Sequence, residues 1–163
     1  MKFGWSLALA AGGTALGLVL LCIAPFAAVA TLAARTLERR TAYAALGAMW
    51  LANQVIGFAF LHYPQTPATY ALGFGFLVAA LVAAETARAL RRVPLPLAFL
   101  AAFAAYELAM YAFALRFGGA AGFSVPIVAL VLEGNALGLA ILWTLRRAFD
   151  VATSRTIGQP LPK

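Results

Sequence analysis

Polar residues in this chain punctuate long apolar runs. The first run goes from about Ser6 to Ala34 and stops at the basic connector Arg35-Thr36-Leu37-Glu38-Arg39-Arg40. A second, about Thr41 to Leu61, stops at His62-Tyr63-Pro64-Gln65-Thr66-Pro67, where the prolines end a helix and the aromatics suit a membrane interface. A third runs from about Ala68 to Leu90 and meets Arg91-Arg92-Val93-Pro94. A fourth, about Leu97 to Phe117, meets the glycine turn Gly118-Gly119-Ala120-Ala121-Gly122. Ser124 then reads as an N-cap, with Pro126 in the first turn of a fifth helix that ends near Leu145 at Arg146-Arg147.

A span needs about 20 residues at a rise of about 1.5 Å each. Every run is long enough, so the pattern predicts an all-α, polytopic five-helix transmembrane bundle. Residues 1–147 form one transmembrane domain, and residues 148–163 form a polar tail expected to be loosely ordered. The first run is longer than a span requires, and tilt or a kink at Pro25 would absorb the excess. Its Gly13-Thr14-Ala15-Leu16-Gly17 is a GxxxG, a surface on which another helix can approach closely.

Composition agrees with the pattern. The chain is 64% hydrophobic and 10% charged, with mean hydropathy +0.93, too few charges for a water-exposed surface. In a soluble protein a net charge of +7 would suggest nucleic acid, but here the basic residues cluster between apolar runs and no nucleic-acid-binding motif accompanies them. They decide the topology instead. Arg35, Arg39 and Arg40 share a side with Arg88, Arg91, Arg92, Arg146, Arg147, Arg155 and Lys163, and the other side has Lys2 and Arg116. The positive-inside bias then places the N-terminus outside and the C-terminus in the cytoplasm, with the bacterial inner membrane the expected location. Ala28-Val29-Ala30 after Pro25 has the spacing of a signal-peptidase site, but the run exceeds the usual apolar region of about 7–15 residues. Cleavage would also leave three arginines on the outer side, so the segment is read as a retained helix.

Two acids interrupt the spans. Glu107 sits ten residues from either end of the fourth run, about 15 Å deep, and Glu133 lies at the middle of the fifth. Asn53 and Gln54 fall slightly outward of the middle of the second run, and Asn135 is about 200° around the helix from Glu133. Met110 and Tyr111 share the face of Glu107, whereas Tyr106 points about 100° away. Arg116 is about 13 Å from Glu107 along the axis, and Arg146 about 20 Å from Glu133. The arginine heads snorkel outward, so neither acid has a counter-cation within the chain. Each carboxyl is then a neutral hydrogen-bonding group, or it meets a bound cation, a ligand or a partner subunit.

The chemistry excluded is broad. No GxSxG, HExxH or P-loop is present, and Ser6, Ser124 and Ser154 lack a neighbouring base. One histidine, His62 at the outer surface, rules out bis-histidine haem ligation. One cysteine, Cys22, rules out an intrachain disulfide and reads as a small apolar residue. Glu85 and Arg88 read as an i, i+3 surface pair. No catalytic set, metal site or cofactor is expected.

The expectation is a small transport protein in which Glu107 and Glu133, with Asn53, Gln54, Tyr111 and Asn135, bind a proton, cation or polar ligand. The alternative is a non-catalytic accessory or assembly subunit whose small-residue faces dock partner helices. The expected partners are the lipid bilayer, further copies or other membrane subunits, and an ion or small molecule, with no nucleic acid.

Overall fold

The computed structural model describes residues 2–19 and 24–157. Cys22 and the end of the tail, 158–163, lie outside the described residues. The described residues form six α-helices: α1 Lys2–Val19, α2 Phe26–Thr36, α3 Arg39–Val55, α4 Pro67–Ala89, α5 Leu95–Phe117 and α6 Val125–Ile157. A five-residue π turn, Ile56–Phe60, continues α3, and a 3-10 turn, Ala120–Phe123, precedes α6. Among the described residues, four helices are long and apolar enough to cross a membrane: Arg39–Phe60, Pro67–Ala89, Leu95–Phe117 and Val125–Val151.

The first apolar run differs from the single helix that its length predicts. It is divided into α1 and α2, and the two run antiparallel. Trp5 Nε1 donates to Thr36 Oγ1 at 2.8 Å. Further along, a side chain at Gly13 would collide with Val29, and one at Gly17 would press on Ala24. Pro25 is therefore the N-cap of a new helix and not a kink in an old one. Proline suits that place, because its missing N–H is an unpaired donor at a helix start anyway.

At 11 residues, α2 is about 16 Å long, half a span. It occupies the centre of the bundle, and every residue from Phe26 to Ala34 is buried. Alanine makes that possible. Ala79, Ala80, Ala83, Ala84 and Ala87 of α4 are all fully buried, a smooth stripe against which α2 and α5 pack closely. On the other side, a Cβ at Gly138 of α6 would stand 2.8 Å from Pro25, so only glycine admits the start of α2 there.

That start is buried, and its backbone donors need partners. Asn135 of α6 supplies them. Its Oδ1 accepts from the N–H of Ala27 at 3.1 Å and of Ala28 at 3.2 Å, while its own Nδ2 donates to the Val131 carbonyl at 3.0 Å. Asn135 is fully buried.

The two ends of the bundle differ. At one, Trp5 packs on Phe149, Arg146 lies over the Trp5 ring, Arg35 donates to the carbonyls of Arg91 and Val93, and Glu85 meets Arg39 at 3.1 Å and Arg88 at 3.4 Å. The expected Glu85–Arg88 pair is thus formed, with Arg39 added and the Tyr43 hydroxyl donating to Glu85 at 2.8 Å. The opposite end carries the His62 loop and the glycine turn, in which His62, Gly118 and Gly119 adopt positive φ. The early turns of α1 and the late turns of α6 therefore share one end, whereas five spans would have separated them. The chain after Ala148, expected to be loose, continues α6 as far as Ile157.

Candidate functional site

A cavity of about 390 Å³ lies between the start of α2 and the His62 end. Its floor is Ala24 and Phe26, and its mouth includes Tyr63, Thr69 and Gly122. The polar groups on its wall are few. Asn53 and Gln54 come from the last turn of α3, Glu107 from the middle of α5 and Thr69 from the first turn of α4. Such a volume, largely apolar with a few polar groups, is the usual form of a small-molecule site.

Each wall has a local cause. Gln54 reaches the cavity because Gly73 opposite has no side chain: a Cβ there would stand 2.5 Å from Gln54 Oε1. The Gly73 carbonyl also accepts from Trp50 Nε1 at 2.7 Å, which fixes α3 against α4 at that level. The π turn begins directly after Val55 and re-aims the residues that follow. Phe58 thereby faces the cavity and contacts Tyr70, with ring centroids 4.9 Å apart. The space above Gly57 is filled by the Tyr63 ring. Phe26 stacks on Phe76 at 6.0 Å and on Tyr106 at 6.5 Å, and all three rings line the cavity.

The Glu107 carboxyl is half-buried in this wall. Among the described residues no ion pair or hydrogen bond reaches it. The amides are little better engaged: a long 3.5 Å contact from Gln54 Nε2 to Asn53 Oδ1 is their one side-chain bond among the described residues. An acceptor-rich wall ringed by aromatic faces therefore has unspent hydrogen-bonding capacity.

Of the six residues singled out from the sequence, three come together here: Asn53, Gln54 and Glu107. Tyr111 does not line this cavity. It borders a neighbouring open groove of about 430 Å³, which shares Glu107, Phe123 and Val128 with the cavity. Phe123 stands at the boundary, with its ring 5.3 Å from that of Tyr111 in an edge-on arrangement. Asn135 is engaged at the start of α2, away from the cavity wall. Glu133 is exposed on the outer face of α6. The 200° between these two residues has this consequence: when Asn135 faces the core, Glu133 faces out.

Sequence reasoning missed the aromatic lining. Tyr106 and Glu107 both reach the cavity, Tyr106 from its α2-facing side, because the half-helix leaves open space beyond its start. Phe26 was hidden by the reading of one continuous first helix. Among the described residues no group of three or more His, Cys, Asp or Glu side chains gathers as a metal site. No protein-family model, curated protein or solved structure matches this chain.

Proposed function

We propose that this is a small integral membrane transport protein whose substrate site is the cavity around Glu107, and that the substrate is a monovalent organic cation. The observation that carries the reading is a carboxyl group at mid-span, facing an aromatic-walled cavity with no cation or hydrogen-bond partner among the described residues. An intramembrane acid without a partner is costly and marks a ligand or ion pathway more often than a packing contact. Aromatic faces favour a cation over water-like solutes, because the ring quadrupole attracts positive charge. The amides of Asn53 and Gln54 add acceptors for an ammonium N–H.

The positive-inside bias supports an orientation as well. It puts the end with Arg35, Arg39, Arg40, Arg91 and Arg92 in the cytoplasm. The cavity mouth then faces outward, and the bacterial inner membrane is the fitting location. The short helix α2 closes the path from the cavity floor to the basic end.

Purified protein is titrated with tetraalkylammonium and aromatic ammonium ions, with fluorescence of Trp50, which abuts the site, as one readout and calorimetry as another. The same ions are then followed into proteoliposomes. Glu107→Gln should weaken cation binding by about tenfold or more and reduce uptake in parallel, while neutral isosteres of the same shape bind both proteins alike. Equal cation affinity in the wild type and Glu107→Gln would end this reading.

A further inference from the structure

The cavity does not use Glu133, and that residue raises a different question. It lies eight residues into α6, about 12 Å along a helix long enough to span a membrane. Its side chain is exposed on the outside of the bundle, and among the described residues no hydrogen bond or ion pair reaches it. The other Asp, Glu, Lys and Arg side chains described in the four spanning helices lie toward the helix ends or, for Glu107, in the cavity wall. A lone carboxyl facing hydrocarbon is costly, so something covers it.

We infer that the Glu133 face of α6 is a self-association surface, on which two copies of the chain pair α6 against α6 with their Glu133 carboxyls in contact. Three observations point to a second copy. The basic residues gather at one end of the bundle, so every copy inserts the same way and Glu133 lies at the same depth in each. A two-fold axis along the membrane normal then brings Glu133 to Glu133 with no adjustment of register. The group is also self-complementary: a neutral carboxyl both donates and accepts, so a pair closes its own hydrogen bonds without a cation, which the chain lacks at that depth. Finally, Ala129, Ala136 and Ala140, at i−4, i+3 and i+7, line one side of Glu133 on this exposed face, with Leu130 and Leu137 exposed on its other side. Small residues there let two helices approach closely enough for side chains as short as glutamate to meet.

This surface is independent of the cation site, and its test separates the two. Full-length protein in lipid vesicles is counted by single-molecule photobleaching over a range of protein-to-lipid ratios. Wild type should dimerise. Glu133→Leu should weaken the dimer by about tenfold or more, and Glu133→Gln, which keeps a donor and an acceptor, should retain it. In a Cys22→Ser background, Ala136→Cys should form an intermolecular disulfide in the membrane, whereas Leu51→Cys, exposed on α3, should not. Glu133→Leu should leave ammonium binding intact, and Glu107→Gln should leave dimerisation intact. A wild type that stays monomeric alone, as it would if a basic residue of another protein covered Glu133, overturns the inference. So does Glu133→Leu dimerising like wild type, or cross-linking at position 51 in place of 136.

Discussion

Asn135 shows how much one side chain can decide in an apolar interior. Its Oδ1 accepts from two backbone N–H groups at the start of α2, which no water reaches. Leaving a buried donor unpaired costs about 1–3 kcal/mol. Asn135→Leu should therefore lower stability in mild detergent by about 2–4 kcal/mol, since it strands two donors and adds apolar bulk beside Gly138. Thermal unfolding followed by circular dichroism checks this, and an unchanged midpoint would show that the cap carries nothing. The sequence showed that Asn135 lies deep in a span and points away from Glu133. It did not show what Asn135 touches, because the partner is 108 positions earlier and belongs to a helix that the hydrophobic pattern does not separate. Glu107 was legible for the opposite reason. Its significance comes from its own depth and the lack of a neighbouring cation, both of which follow from counting along one helix.

At the level of elements, the α1–α2 hairpin is the main departure from the pattern. Periodicity cannot distinguish one long apolar helix from two shorter ones folded back on each other, because both are uniformly apolar. The local signals were present: Pro25 within the run, and Gly13 and Gly17 ahead of it. They acquire meaning only as a pair. The glycines are the close-approach face of α1, and the residues they admit are Val29 and Met49 at Gly13 and Ala24 at Gly17. A Cβ at Gly13 would lie 2.7 Å from Met49 Sδ and 2.8 Å from Val29 Cγ2. Methionine can yield, but the β-branched valine on buried α2 cannot. Gly13→Val should thus destabilise by about 1–3 kcal/mol through overpacking. Gly47→Val, where nothing stands within 4 Å, should change stability far less, which makes it the control. If both variants unfold at the same temperature, the hairpin is not packed as described. The starts of the remaining helices, and the ends of α3, α4 and α5, were legible within a few residues, because proline, glycine and arginine mark them, whereas α6 runs past Arg146-Arg147 to Ile157.

For the whole molecule, the hairpin changes the topology that follows from counting spans. Five crossings would put the beginning of α1 opposite the end of α6. With α1 and α2 entering and returning from one end, the four long helices leave both at that end, as the Trp5–Phe149 and Trp5–Arg146 contacts require. The charge distribution becomes more one-sided in consequence. Arg35, Arg39, Arg88, Arg91 and Arg146 gather around the start of α1, and Arg116 is the cation left at the far end of the spans among the described residues. A stronger bias fixes insertion more firmly, and that is the condition under which Glu133 lies at one depth in every copy. Single cysteines in a Cys22→Ser background test the arrangement with a membrane-impermeant maleimide on sealed, right-side-out vesicles. Cysteines at Gly4 and Arg147 should be protected until the membrane is opened, and cysteines at Gln65 and Ala121, both exposed in the opposite loops, should label at once. Labelling at position 4 together with 65 and 121 would restore the five-crossing arrangement. It would also remove α2 from beneath the cavity, leaving Glu107 in a passage open through the bundle where the half-helix now closes one end.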